Sequence, residues 1–286
     1  MSDDPTAKRA SAADLKFLHH GGKLVEELEI EKRHSKHEIA SAPLLPKFVS
    51  GSAAMYDELR KRGTSAFYGR HKGRPLRAHQ ASLIDTLLPR LALDLDAPAP
   101  GALAALFPVP VDAVRLEIGF GGAEHLIAAA AANPRIGFIG CEPFVNGMAK
   151  ALAAITAREL ANVRLHHGDA TPLIAWLPAA SLARVDLIYP DPWPKRRHWK
   201  RRFVQDASVA AIARLLVRGG VFRFATDWPD YAAWTLERLL RAPDFAWAAE
   251  RADDWRRPWE DFAGTRYEAK ALREGRMPCY LTFCRE

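Results

Sequence analysis

Five short apolar runs, separated by segments of helical character, leave this chain few ways to fold. They are Val114–Ile118, Ile136–Cys141, Val163–His167, Val185–Tyr189 and Val221–Ala225, each the length of a buried strand. The clearest helix between them is Asp206–Arg218. There Val209, Ile212, Leu215 and Leu216 share one face, and Gly219-Gly220 is the predicted stop. Strand and helix signals in alternation predict a doubly wound α/β fold around a mostly parallel sheet. A last run, Tyr280–Cys284, reads as a closing strand.

Composition narrows the partners. Among 286 residues the basic side chains exceed the acidic ones by +7, a balance that favours a polyanion, although the distribution of charge decides more than its sum. Cys141, Cys279 and Cys284 form no CxxC pair, so a reducing compartment fits better than a disulfide framework or a zinc site. His34 and His37 stand one helical turn apart without an evident third ligand, and no metal is expected. The first ten residues lack a signal-peptide pattern, and apolar stretches such as Leu126–Ala132 are too short to span a bilayer. A cytoplasmic, soluble protein with no membrane contact and no obligate protein partner is expected. Residues 1–65 read as an extension, partly helical or mobile. Arg60–Arg77 is a basic stretch interleaved with Phe67 and Tyr68. It leads into an amphipathic helix over His79–Leu93, with Leu83, Leu87, Leu88 and Leu91 at helical spacing.

Leu116–Glu124 follows the first strand and opens a helix. Gly119 and Gly121 permit a tight turn and close approach of a ligand to the backbone. A dinucleotide fingerprint requires a third glycine where this chain has Glu124. The acidic Glu117 just before the turn suits a sulfonium cofactor with an amino acid tail, whereas a carboxylate beside a diphosphate is repulsive. Glu142, about twenty residues on, is placed to accept from ribose hydroxyls, and Asp169, after the third strand, from an adenine amino group. Each alone is equally readable as a helix cap. Acidic residues at the carboxyl ends of three successive strands favour a cofactor, because ligands bind at that edge.

The fourth strand runs into Tyr189-Pro-Asp-Pro-Trp-Pro-Lys195. Three prolines stiffen this loop and remove backbone donors, leaving the acceptor Asp191 and the flat Trp193 at the strand tip. That pair suits an extruded nucleobase, which is recognised by stacking and hydrogen bonding. Lys195–Arg202 then carries six cations in eight residues, beside the expected site, and predicts phosphate contacts.

These motifs resemble the bacterial tRNA (guanine-N7-)-methyltransferases, the TrmB family, over roughly residues 66–286. The matching segments are Glu-Ile-Gly-Phe-Gly at 117–121, Gly-Cys-Glu at 140–142, Pro-Asp-Pro-Trp-Pro-Lys at 190–195, Ala-Thr-Asp-Trp at 225–228 and Thr-Arg-Tyr-Glu at 265–268. The resemblance implies a class I (Rossmann-like) S-adenosylmethionine-dependent methyltransferase domain over 66–286. Its sheet would be seven-stranded and mostly parallel, with helices on both faces. The implied reaction methylates N7 of the guanosine at tRNA position 46, in the variable loop, releasing S-adenosylhomocysteine. Carried over residue by residue, Glu117, Gly119, Gly121, Glu142, Asp169 and Asp191 would bind the cofactor, with Asp191 also catalytic. Lys195, Asp227, Thr265, Arg266, Tyr267 and Glu268 would hold the guanine and its surroundings. Arg197, His198, Trp199, Lys200, Arg201 and Arg202 would touch the tRNA backbone. Two positions depart from the pattern. Ala123 stands where relatives usually have glycine. Trp199 replaces a smaller or polar residue, and either adds a stacking surface or packs internally.

Two other readings compete. A small-molecule methyltransferase would share the cofactor half but would not need the cations beside its acceptor pocket. A non-catalytic RNA-binding protein on the same fold would be expected to have lost Glu117, Glu142 or Asp191, and all three are present.

Overall fold

The computed structural model describes residues 73–286. The expected 1–65 extension, the His34–His37 pair and most of the Arg60–Arg77 stretch lie outside the described residues. In chain order come α1 (Ala78–Thr86), α2 (Leu88–Leu91), a 3₁₀ turn (Leu103–Leu106), β1 (Ala113–Ile118), α3 (Glu124–Ala132), β2 (Ile136–Cys141), α4 (Val145–Ala157) and β3 (Val163–His166). The second half runs α5 (Ala170–Trp176), β4 (Leu182–Ile188), a 3₁₀ turn (Arg196–Arg201), α6 (Asp206–Leu215), β5 (Leu216–Thr226), α7 (Pro229–Arg241) and β6 (Phe245–Trp247). It closes with α8 (Asp253–Arg256), α9 (Arg266–Arg273) and β7 (Cys279–Arg285).

The strands form one sheet in the order β3-β2-β1-β4-β5-β7-β6, with β7 antiparallel to both of its neighbours. The expected seven-stranded, mostly parallel sheet is present. All five predicted parallel strands fall where the apolar runs stood. Register carries one row of side chains across six strands: Leu165, Gly140, Glu117, Asp186, Arg223 and Thr282 are paired in turn. Residues paired in register share a face. At the β2–β3 end this face meets α1, α3 and α4, in a core that includes Phe120, Leu126, Phe138, Met148, Leu152 and Leu165. On the opposite face Phe224 meets Tyr231 of α7 edge to face, with ring centres 5.2 Å apart.

Sequence and structure part company at two helices. The stripe expected to run through Leu216 breaks at Leu215, and Leu216 instead begins β5, opposite Leu182. Gly219-Gly220 is therefore no helix stop but part of an irregular stretch of β5. Gly219 has φ +73, and a Cβ on Gly220 would meet the Val217 carbonyl at 2.8 Å. In the first helical region, Pro89 starts a second helix, so His79–Leu93 is two helices joined at Leu87 rather than one. The three-residue edge strand β6 was too short to read from periodicity.

Past α3 the first face is covered by a loop rather than a helix, and ion pairing seats it. Asp261 accepts from Arg184 Nη1 at 2.7 Å and Arg223 Nη1 at 2.6 Å, with Arg115 Nη1 4.0 Å away. Arg184 also pairs with Asp186 at 2.9 Å, both deeply buried. Trp259 lies under the Arg223 guanidinium at 4.8 Å and donates to Thr282 Oγ1 at 2.8 Å, while Phe262 packs on His125 at 5.3 Å. Partial burial raises the Asp261 pKa, but hydrogen bonds from Arg184 and Arg223 outweigh it and hold the carboxyl well below the usual carboxylate range. A depressed folded pKa contributes stability at neutral pH that fades in acid. Asp261→Asn is therefore expected to cost about 1–2 kcal/mol at pH 7, modest because the carboxylate is partly solvated. In urea titrations the gap from wild type should narrow as pH falls below about 4, where the unfolded carboxyl protonates. A gap unchanged down to pH 2 would contradict this.

Candidate active site

Chain winding reverses between β1 and β4, the place where open parallel sheets bind ligands outside the carboxyl ends of the strands. A cavity of about 310 Å³ opens there, walled by Ile118 and Leu187 at the two strand tips, the Gly119–Gly121 turn, Glu142, Asp169, Asp191 and Tyr267. Of the acidic tips expected to work together, Glu142 and Asp169 share this cavity with Asp191, and Glu117 does not line it.

The turn is built for close approach. Gly119 and Gly121 have φ +71 and +55, and a Cβ on Gly119 would enter open space. Ala123 is also left-handed, at φ +65, and caps α3 from a fully enclosed position. A glycine would adopt this backbone without strain, which accounts for the residue expected there, and alanine holds it at roughly 1 kcal/mol. Glu142 locks the turn to the next strand, because its two oxygens accept from Gly121 N at 2.6 Å and Phe144 N at 2.9 Å. Burial pushes the Glu142 pKa up, and the two amides oppose that shift only in part. Each carboxylate oxygen keeps a second lone pair, so the ribose-binding expectation is compatible with both amide bonds. Asp169 likewise does two things. It caps α5 by accepting from Thr171 N at 2.7 Å, and it lines the cavity. The helix cap that the sequence offered is thus present, and it leaves the side chain at the cavity wall.

Glu117 stands behind the turn rather than in the cavity wall. It is 5% exposed, and His125 Nδ1 lies 2.8 Å from its Oε2. Burial lowers the His125 pKa, but the charge and hydrogen bond of Glu117 outweigh it and leave the imidazole above its ordinary value.

Asp191 sits on a loop held by two left-handed non-glycine residues, Tyr189 at φ +50 and Trp193 at φ +43. Strain at such a place is tolerated where the surroundings over-determine the backbone, commonly at functional sites. Desolvation at the cavity mouth pushes the Asp191 pKa up. Thr265 caps α9, accepting from Glu268 N at 3.1 Å, so Thr265–Glu268 is a first helical turn. It brings the Tyr267 ring 3.3 Å from where a Gly121 Cβ would lie, with the Arg266 guanidinium over that ring at 4.9 Å. Glu268 accepts from the Tyr280 hydroxyl, and Asp227 accepts from Arg276 Nε at 2.6 Å. The charges of Glu268 and Asp227 both bear on the buried Tyr189 hydroxyl, whose pKa is raised chiefly by burial. The structure thus brings Asp227 and Thr265–Glu268, distant in sequence, to Tyr189 at the root of the Asp191 loop.

The basic run does not behave as one surface. Lys195, Arg196, Arg197 and Lys200 are exposed, and Arg201 and His198 flank Trp193 at 5.0 and 5.8 Å. Arg202 corrects the expectation of a backbone contact. It is 2% exposed and faces inward rather than toward solvent. Trp199 is half-buried and packs edge-on to Trp234 at 5.4 Å, as the second of its two readings had it.

Sequence reading missed Gly147. A Cβ there would lie 2.2 Å from the Gly121 carbonyl oxygen, so its bareness lets α4 abut the glycine turn. The available signal was a glycine inside a helix, an arrangement that costs about 1 kcal/mol without a reason.

A doubly wound sheet with one reversed strand, and a crevice of acidic strand tips at its switch point, define a class I methyltransferase. Residues 112–280 match a family described as "Putative methyltransferase". The tRNA (guanine-N(7)-)-methyltransferase of Rhodopseudomonas palustris strain BisB5 is 66% identical over 220 residues, covering 77% of this chain and 86% of that one. Proteins of the same name from Nitrobacter hamburgensis and Bradyrhizobium diazoefficiens are each 62% identical. Those alignments cover 78% and 77% of this chain and 88% and 93% of theirs. The chain belongs to the tRNA (guanine-N7-)-methyltransferase family.

Two outcomes follow from this geometry. Gly147→Ala forces the turn or α4 to shift, and should weaken S-adenosylhomocysteine binding by about tenfold or more in calorimetry. Unchanged affinity would show that the turn tolerates the shift. His125 adds stability that is fully present below its unfolded pKa, about 6.5, and lost as pH rises through the higher folded value. His125→Asn should therefore abolish a fall in urea midpoint that wild type shows between pH 6 and pH 9.

Proposed function

We propose that this protein methylates N7 of a guanosine in tRNA, the one at position 46 in the variable loop, using S-adenosylmethionine. The carrying observation is that Asp191, on its strained proline loop, opens onto the same cavity as Glu142 and Asp169. Exposed Lys195, Arg196, Arg197 and Lys200 stand on the adjoining turn. The cavity suits the cofactor, with open space at Gly119, spare acceptor lone pairs on Glu142 for ribose hydroxyls, and Asp169 for the adenine amino group. Glu117, held by His125 behind the glycine turn, is assigned charge complementarity to the ammonium end of the amino acid tail rather than a place in the cavity wall. When bound, S-adenosylmethionine supplies an electrophilic methyl group and leaves as S-adenosylhomocysteine.

N7 of guanine carries a free lone pair at neutral pH, so the reaction needs no general base. The new bond forms from that lone pair as the methyl–sulfur bond breaks. What the chain must supply is alignment and a place for the positive charge that appears on the base. Asp191 holds the donor edge of the guanine, and its partly desolvated carboxylate is stabilised as that cation develops. Glu268, fixed by Tyr280, and Asp227, fixed by Arg276, assist at the rim. Thr265, Arg266 and Tyr267 close over the glycine turn and join the cofactor and base sites. Lys195, Arg197, His198, Lys200 and Arg201 lead the tRNA backbone in. The cation-rich rim favours this reading over a small-molecule acceptor, and a tRNA substrate places the enzyme in the cytoplasm.

Asp191→Asn should lower kcat on unmodified tRNA about 100-fold or more while cofactor binding persists. Mapping 7-methylguanosine by cleavage at the modified base should give a single site in the variable loop. Full turnover by Asp191→Asn would remove Asp191 from the chemistry, and product at another nucleotide would remove position 46.

A further inference from the structure

The cations between Lys195 and Arg202 look alike in sequence, and folding separates one from the rest. The Arg202 guanidinium carbon lies 4.9, 5.0 and 5.1 Å from the ring centres of Trp199, Tyr231 and Trp234. Its Nε donates to the Pro192 carbonyl at 2.9 Å and its Nη1 to the Asp230 carbonyl at 3.3 Å. Pro192 directly follows Asp191, and Asp230 is in the first turn of α7. The α7 end of this tie is firm, because Tyr231 is completely buried against Phe224 of β5.

The loop needs such a tie. With prolines at 190, 192 and 194 it has few backbone N–H groups with which to brace itself, so its carbonyls must be held by donors from elsewhere. A planar guanidinium stacks on rings and donates in its own plane at the same time, which a lysine ammonium cannot do. Gln205 secures the far side, with Nε2 donating to the Trp199 and Arg202 carbonyls, both at 3.0 Å.

We propose that Arg202 is a positioning residue for methyl transfer: caged by three aromatic rings, it fixes the Pro192 carbonyl and so the place of Asp191, and it makes no contact with tRNA phosphate. The proposal rests on Asp191 being the group that faces the guanine.

The test compares Arg202→Lys with Lys200→Ala. Arg202→Lys keeps the charge but loses the in-plane donor, and should lower kcat about 100-fold, as small misplacements of reacting groups do. Its affinity for tRNA, and the slope of that affinity against salt, should match wild type. Lys200→Ala should instead weaken tRNA binding and reduce the salt slope by about one. Trp199→Leu removes one wall of the cage without touching the guanidinium, and should lower kcat in the same direction if Arg202→Lys does not fold. In the wild-type enzyme an arginine-selective dicarbonyl should modify Arg197 and leave Arg202 untouched, with or without tRNA. Wild-type kcat in the cage variants, a salt slope reduced by about one in Arg202→Lys, or protection of a reactive Arg202 by tRNA each overturns the proposal. Full turnover by Asp191→Asn would strike the reading of Asp191 instead, and the dicarbonyl pattern does not depend on it.

Discussion

The parallel pairing of β1 with β4 is the constraint on which the rest of this structure depends. Because the chain winds away from that pair in both directions, the carboxyl ends of β1, β2, β3 and β4 open on one edge. The walls of the cavity are attached there: the glycine turn after β1, Glu142 after β2, Asp169 after β3 and the proline loop after β4. Had the winding continued in one direction, the same residues would lie along a sheet with no crevice between them.

Around that edge, short-range polar contacts convert flexible tips into fixed geometry. Glu142 joins two backbone amides from different loops, and Asp169 caps the helix that follows it. Each Glu142 oxygen keeps a lone pair beyond its amide bond, so shaping the turn does not use up its acceptor capacity. The proline loop is the contrasting case. It cannot satisfy itself and borrows its bracing from α7 through Arg202.

The back of the site is held by charge. The row Glu117, Asp186 and Arg223 would be costly on a sheet face that packed only against apolar helix. His125, Arg184 and Asp261 pair its members, and the loop that carries Asp261 runs directly into Thr265–Glu268. Seating that loop therefore also seats the residues that reach over the glycine turn.

The order of strands and helices, the glycine turn and the acidic tips were legible in the sequence, because each rests on local period or on residues adjacent in the chain. Periodicity failed at Leu216 and Gly219-Gly220, where pairing with β4 decides between helix and strand, and at β6, which is too short to show a period. Sequence could not tell Arg202 from Arg201, since both are arginines in a basic run and only the rings of α7, contributed from some thirty residues away, make one internal. Nor could it show that Gly147 abuts Gly121, or that Asp261 gathers Arg184 and Arg223. The chain's own composition and pattern determined the fold class and the chemistry available at the strand tips, because those are local properties. Which cation meets solvent and which meets a ring was decided only by tertiary packing, because burial belongs to the space between elements.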